Sequence, residues 1–259
     1  MKKLLRFQAR LNFKGFFFLC LIFFGKIFGF TTGHLFAPAI NQKGIWIPDT
    51  YPVNARVGLE YTHIFDEKLV FSKEYRNASY FVNTIPGHSL LAFLTLNVKE
   101  RVDLSFFGGE LQLHPKVHYE SNSFDIQGEK GFLWKAQGKA IIFEVKNTSV
   151  CLEAQYGRSS ASVSSVKRAR LTYHEWEIGL GLAQKISFFI PYAGISFRNA
   201  VLRYSHPSFG SRGHLRMMQD HKRGIFLGAS VSPLPYFFLQ IEGRLIHEKS
   251  IAGTLDVRF

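Results

Sequence analysis

Long hydrophobic runs are missing from most of this chain. After residue 30, no segment approaches the 18 or more consecutive apolar residues that a membrane-spanning helix needs. Hydrophobic residues nevertheless make up 46% of the 259 residues, 27 of them Phe, and the mean hydropathy is +0.00. Apolar side chains are therefore spread among polar ones at short spacing. This distribution suits a membrane barrel with an apolar outer face, and it also suits a soluble β-sandwich.

Cysteine and acidic residues are both scarce. The two cysteines are Cys20, inside an N-terminal apolar run, and Cys151, so no internal disulfide framework and no cysteine-based metal site is available. Against 32 Lys and Arg stand 19 Asp and Glu, which gives a net charge of +13. Six of the basic residues lie in the first 30 positions, and the others are scattered without a basic helix. Nucleic-acid binding is therefore not predicted.

The first 32 residues are typical of a cleaved signal peptide. A basic segment precedes an apolar core at 15–24, and small and polar residues follow. That core is too short for a spanning helix. The next segment, 33–52, contains Pro38, Pro48 and Pro52, which block regular strand pairing and indicate an irregular periplasmic lead-in.

From residue 53 onward, apolar and polar residues alternate in about ten segments, as they do on strands with one wet face. The final segment places five residues on one face and ends the chain on an aromatic ring. Such a last strand is the signal read by the outer-membrane assembly machinery of Gram-negative bacteria. The predicted assembly signal consists of Ile251, Gly253, Leu255, Val257 and Phe259.

The connections between these segments alternate between short and long. Two-residue turns are predicted at 99–100 and 146–147, whereas 108–130, 157–170 and 203–223 read as exposed loops. Barrels inserted from the periplasm have short turns on that side and long loops outside, while a soluble sandwich has no reason to segregate loops by length. We therefore predict an all-β fold: a transmembrane, antiparallel up-and-down barrel of about 10–12 strands at 53–259, following a cleaved signal peptide.

Charged residues recur on the polar face of the predicted strands, which would line the lumen. Rings of charged side chains set solute and ion preference in pores. In a narrow barrel, the same residues would instead form a salt-bridge network that fills the lumen and conducts nothing, and both interpretations stay open. The predicted lumen residues are Arg56, Glu60, Arg101, Asp103, Lys135, Lys139, Glu153, Glu175, Glu177, Lys185, Arg198, Glu242, Arg244, Asp256 and Arg258.

Several short motifs form an ordered set along the chain. They are Arg56-Val57-Gly58-Leu59-Glu60-Tyr61, Phe132-Leu133-Trp134, Gln155-Tyr156, Tyr173-His174-Glu175-Trp176-Glu177, Gly179-Leu180-Gly181-Leu182, the segment 191–195, the segment 242–249 and the ending 256–259. In this order they resemble the chlamydial major outer membrane protein family. The resemblance covers the first strand and most of 131–259.

This resemblance implies a trimeric, general-diffusion porin that is also a surface-exposed structural protein of the envelope. The family is rich in cysteines joined by disulfides, whereas here Cys151 stands alone near the corresponding neighbourhood of Val145 and Asn147. The chain is also shorter than the family's porins. Because barrel width grows with strand number, a narrow or plugged barrel is consistent with this length.

The predicted function is a passive diffusion channel for small hydrophilic solutes and ions in the outer membrane of a Gram-negative, chlamydia-like bacterium. The alternative is a non-conducting structural or adhesin-like barrel whose loops contact the envelope or a host. No Ser-His-Asp or paired-Asp constellation supports enzymatic activity, and no cofactor or metal site is predicted. Expected partners are outer-membrane lipid, the barrel-assembly machinery, small solutes and further copies of the chain in a homo-oligomer.

Overall fold

A computed structural model describes residues 53–71, 80–99, 101–119, 122–164, 168–205, 214–234, 236–246 and 248–259. The predicted signal peptide and lead-in, 1–52, lie outside the described residues. The strands are β1 Val53–Glu67, β2 Leu69–Phe71, β3 Tyr80–Thr84, β4 Gly87–Val98, β5 Val102–Leu113, β6 Lys116–Tyr119, β7 Asn122–Asp125, β8 Gly131–Val145, β9 Thr148–Ser162, β10 Arg170–Gln184, β11 Phe189–Ser205, β12 His214–Gln219, β13 Arg223–Leu234, β14 Phe237–Leu245 and β15 Glu248–Arg258. Among these residues, no helix is long and apolar enough to cross a membrane.

Ten of these strands close into a barrel. Their order around the wall is β1, β4, β5, β8, β9, β10, β11, β13, β14 and β15, with β15 paired back to β1. Every pairing is antiparallel, and the pairing of β10 with β11 completes the circle. This confirms the prediction of an antiparallel barrel and sets its size at ten strands.

The wall follows the alternation of the sequence. On β10, the outward-facing Trp176, Ile178, Leu180 and Leu182 are exposed, whereas the intervening Glu175 and Glu177 are buried inside the barrel. The same pattern recurs around the wall, so the outer surface carries an apolar belt. An outer face that is apolar around a polar interior is the arrangement of a transmembrane barrel and the reverse of a soluble one.

The two ends of the barrel differ. The turn end holds Val53, Phe259 and the short connections after β4, β8, β10 and β13. Lys99 and Lys146 adopt positive φ there, at 50° and 53°, as tight hairpin turns require. The loop end holds the longer connections, although β14 joins β15 through 246–247 alone.

The loop end carries additional strands beyond the barrel wall. The upper part of β11 pairs with β12, and β12 pairs with β2, so the sheet continues past the closed wall. Strands β3, β6 and β7 form a separate small sheet. These strands lie in the long connections between strands of the barrel wall.

Three of the predicted loops are wrong in part. Residues 108–113 extend β5, 157–162 extend β9, and β12 lies within 203–223. The physical reason is the same at β5 and β9. These strands continue beyond the apolar belt, where outward-facing residues such as Glu110, Arg158 and Ser160 are polar, so the apolar and polar alternation disappears although the strand does not.

Candidate functional site: the barrel lumen

Most of the charged residues predicted for the lumen do face it. Lys139 is half-buried there and the others are buried. These buried residues are Arg56, Glu60, Asp103, Lys135, Glu153, Glu175, Glu177, Arg198, Glu242, Arg244, Asp256 and Arg258. They come from eight strands, and the alternation of each strand directs them inward.

Arg101 and Lys185 do not face the lumen, which corrects their prediction. Arg101 lies in the turn before β5, where its Nη2 is 3.7 Å from Glu144 Oε2, and both side chains are solvent-exposed. Lys185 lies just after β10 and is exposed. Each residue lies one position outside its strand, in a turn, where the period-two alternation no longer determines which way a side chain points.

Arg198 on β11 binds carboxylates on three other strands. Its Nη2 lies 3.5 Å from Glu67 Oε1 of β1, and its Nε donates to Glu175 Oε2 of β10 at 3.1 Å. Its Nη1 pairs with Glu248 of β15. Strands β11 and β1 stand on opposite sides of the wall, so this cluster spans the lumen.

Arg244 on β14 forms a second cluster. Its Nε donates to Glu242 Oε1 at 3.0 Å, and its Nη1 pairs with Glu177 of β10. The hydroxyl of Tyr192 donates to Glu242 Oε2 at 3.0 Å, and Gln155 Nε2 donates to Glu177 Oε2 at 2.7 Å. Strands on both sides of the lumen are thereby joined through one guanidinium.

Arg56 forms a third cluster nearer the turn end. Its guanidinium pairs with Asp103 of β5 and lies 3.4 Å from Asp256 Oδ2 of β15. The amide of Asn97 donates to Asp103 Oδ1 at 2.5 Å. Planar guanidinium groups suit such sites because they present several donors in fixed directions to more than one carboxylate.

Lys135 on β8 forms a further ion pair in the lumen, with Glu60 on β1. Its Nζ is 3.0 Å from Glu60 Oε1 of β1 and 4.1 Å from the centroid of the Phe107 ring. Lys135 and Glu60 are both 0% exposed. A water-filled lumen would leave such side chains accessible, so no water layer surrounds this pair.

Apolar side chains also fill the lumen toward the loop end, where they surround the Arg198 cluster. Ile64, Leu91, Phe107 and Leu133 of the wall are 0% exposed there. Three residues of the connections complete the same core: Leu69 of β2, Ile85 and Met217 of β12, all also 0% exposed. The connections therefore cover the loop end of the barrel with apolar side chains.

Sequence reasoning missed four residues of the buried network. Glu67 faces inward because a bulge between Ile64 and Asp66 shifts the parity of β1. Glu248 lies outside the predicted assembly signal, but it begins β15 and faces inward like Ser250. The missed residues are Glu67, Tyr173, Tyr192 and Glu248. Tyr173 and Tyr192 could have been found from the alternation, because they lie on the inward faces of β10 and β11.

The predicted assembly signal lies on the outer wall. Ile251, Gly253, Leu255, Val257 and Phe259 alternate with buried residues such as Asp256 and Arg258 and are half-buried or exposed. The side chains of Leu255, Val257 and Phe259 therefore belong to the apolar belt, whereas Ile251 also packs against the apolar core at the loop end. Phe259 lies at the turn end, where its backbone N–H donates to the carbonyl of Ala55 at 2.8 Å.

An apolar outer wall around a buried polar interior defines a β-barrel of the outer-membrane type. A model of the family described as Chlamydia major outer membrane protein matches residues 139–208. The major outer membrane porin of Chlamydia psittaci is 27% identical over 71 residues, which are 26% of this chain and 18% of that protein. The chain thus matches less than a fifth of that relative's length. The matched segment includes 173–182 and 191–195, so the resemblance read from the sequence is confirmed there.

Solved barrels with similar architecture share little sequence with this chain. The outer membrane protease OmpT of Escherichia coli gives a TM-score of 0.39 at 12% identity, covering 87% of this chain and 96% of its own. The outer membrane protein OprG of Pseudomonas aeruginosa gives a TM-score of 0.39 at 9% identity, and the match covers 80% of this chain and 95% of OprG.

Proposed function

We propose that this chain is a non-conducting outer-membrane barrel that serves as a structural, surface-exposed protein of a Gram-negative, chlamydia-like envelope. No enzymatic activity is part of this proposal. The barrel would be inserted by the assembly machinery through β15, whose outward face carries the predicted signal.

The observation that carries this proposal is the filled lumen. Glu60, Lys135 and Arg198 are 0% exposed, and Arg244 is 1% exposed, at mid-barrel. Their ion pairs with Glu60, Glu67 and Glu177 join strands three or four places apart around the ten-stranded wall, so the side chains lie across the path that a solute would take. Eight-stranded barrels have interiors that side chains just fill, and ten strands add little width to that.

The covered loop end supports the same proposal. Leu69, Ile85 and Met217 pack onto the apolar upper lumen from connections outside the wall. Movement of one charged side chain would therefore not open a route, because apolar side chains also fill the lumen toward the loop end. A solute channel needs both layers displaced.

A passive diffusion channel is the competing function, and the porin name of the Chlamydia psittaci relative favours it. In that case the apolar layer and the ion pairs would have to rearrange in the membrane. The relative matches over only 26% of this chain, and the segment that the family model matches, 139–208, is part of a filled wall here.

Liposome swelling separates these two functions. The refolded barrel is reconstituted into liposomes loaded with an impermeant polymer, and swelling is followed in an isotonic solution of a small sugar. We expect the swelling rate to stay at that of protein-free liposomes at every protein content. A reconstituted 16-stranded porin serves as the positive control, and heat-modifiable migration on gels shows that the test protein is folded. A swelling rate that rises with the amount of folded barrel would establish the channel instead.

A further inference from the structure

Basic residues cluster on the outer wall near the loop end, on β9 to β12. Arg158, Arg170 and Arg203 are exposed, and His174 and Arg216 are half-exposed. We name these five residues the outer basic patch. On the four strands that carry it, which the structure describes in full, every carboxylate faces the lumen. Glu129 and Asp220 lie in the flanking connections.

The registers of the strands place these cations next to one another. Arg158 is the Cα partner of His174, and Arg203 is the partner of both Thr172 and Arg216. Arg158 and Arg203 both interact electrostatically with His174. Arg203 and Arg216 are like charges directly opposite on neighbouring strands, which destabilises a sheet, and a source of negative charge from elsewhere would offset their repulsion.

That negative charge does not come from the described part of the chain. Within it, none of the five residues is in an ion pair, and Arg216 Nε is buried without a hydrogen-bond partner. Two exposed cations elsewhere do have a carboxylate partner: Lys130 Nζ lies 2.8 Å from Glu110 Oε2, and Arg101 Nη2 lies 3.7 Å from Glu144 Oε2. Among the residues that the structure describes, the patch is therefore a set of cationic donors without carboxylate acceptors.

An aromatic band fixes the position of the patch relative to the membrane. The rings of Trp134 and Tyr156 lie 5.5 Å apart, as do those of Trp176 and Phe197. Such aromatic girdles mark the boundary of the hydrocarbon layer in outer-membrane barrels. The patch begins next to the girdle and continues away from the apolar belt.

The lower part of the patch lies at the height of the headgroup layer, and its upper part extends beyond that layer. His174 lies two residues beyond Trp176 on β10, and Arg203 is the partner of the next outward residue, Thr172. With a rise of about 3.3 Å per residue and a strand tilt of about 40°, His174 lies roughly 5 Å and Thr172 with Arg203 roughly 10 Å beyond the girdle. The polar headgroup region of one leaflet is about 5–8 Å thick.

We propose that the outer basic patch binds the phosphate groups of a phosphorylated glycolipid in the outer leaflet. Arginine guanidinium groups match phosphate oxygens with paired hydrogen bonds, and the hydroxyls of Ser160 and Thr172, on the same rows, add donors. The glycolipid supplies the missing negative charge and binds this side of the barrel to the leaflet. The inference rests on the proposed outer-membrane location but not on whether the lumen conducts.

Lipid binding by the folded barrel tests this inference. Native mass spectrometry of the refolded chain in neutral detergent measures binding of bisphosphorylated lipid A and of the same lipid without phosphates. We expect the phosphorylated form to bind at least about tenfold more tightly, and Arg158→Gln/Arg203→Gln to remove most of that difference. The matched control Lys130→Gln/Lys185→Gln loses the same charge outside the patch and is expected to bind within about twofold of the original chain.

Three outcomes would overturn the proposal. They are equal binding of the two lipids, an unchanged preference in the patch variant, and an equal loss in the control variant. Soluble heparin and inorganic phosphate are measured in parallel. Patch-dependent binding of either one, with no preference for phosphorylated lipid, would assign the patch to a soluble anion. Because conductance and swelling do not enter this assay, its failure leaves the non-conducting function untouched.

Discussion

At the scale of single residues, buried arginines hold the interior together. Arg198 contacts carboxylates of β1, β10 and β15, and Arg244 contacts those of β10 and of its own strand. A buried ion pair is not by itself a large net stabiliser, because both charges lose their hydration. Removing one partner is costly, however, since the remaining charges stay buried without compensation.

Replacing Arg198 tests this dependence. In Arg198→Met, the carboxylates of Glu67, Glu175 and Glu248 remain close together without their shared cation. We expect a loss of about 3–5 kcal/mol in the free energy of unfolding, measured by denaturant titration of the folded barrel in detergent micelles. Lys185→Met removes a cation that is exposed in a turn, so it serves as the control and is expected to change stability by less than about 0.5 kcal/mol. Equal effects of the two variants would contradict the role of Arg198.

At the scale of the strands, glycines on the inner face allow large side chains to lie across neighbouring strands. A Cβ at Gly194 of β11 would lie 2.1 Å from Phe226 Cζ of β13 and 2.4 Å from the carbonyl oxygen of Leu180 of β10. Both distances are far below contact. The position therefore accepts glycine alone without movement of the wall, because the ring of Phe226 occupies the space of a side chain.

Gly194→Ala should therefore weaken the barrel. The added methyl must displace either a ring or the backbone of β10, and overpacking of this kind costs roughly 1–3 kcal/mol. Gly253→Ala is the matched control, because a Cβ on β15 at that position meets nothing within 4 Å. The two variants are compared by the temperature at which half of the protein shifts from the folded to the unfolded position on gels. A midpoint for Gly194→Ala as high as that of Gly253→Ala would show that the wall yields easily at β11.

Strand positions could largely be predicted from the sequence, because period-two alternation is strong wherever one face contacts lipid. The final strand, β15, and its outward residues Ile251 to Phe259 illustrate this. The alternation no longer predicts the strand where contact with lipid ends. Ser159–Ser162 lie within β9 although they read as a flexible loop, since both faces are polar or small beyond the apolar belt.

The partners within the lumen could not be predicted. Alternation assigns a residue to a face, but pairing depends on the register of ten strands and on local bulges. Glu67 shows the difficulty: a bulge after Ile64 reverses the parity of the end of β1, and only then does its carboxylate reach Arg198. The apolar cover at the loop end could not be predicted either, because Leu69, Ile85 and Met217 come from connections without strong periodicity.

At the scale of the whole molecule, a ten-stranded wall encloses two filled layers. Ion pairs cross the middle of the lumen, and an apolar core with side chains from the connections lies toward the loop end. In the proposed function, these layers leave a membrane-spanning barrel without a hydrated path. Its exposed features are then the apolar belt, the outer basic patch and the connections of the loop end.

Single-channel recording of the refolded barrel in a planar bilayer tests the closed lumen most directly. In about 1 M KCl, with insertion verified by protease protection and heat modifiability, we predict a flat baseline at all applied voltages. Ions are smaller than any sugar, so this measurement also detects paths that liposome swelling would miss. Stable, uniform current steps that change in size on charge reversal at Lys135 or Glu177 would contradict the account, because they would require an open lumen lined by residues that are buried in this structure.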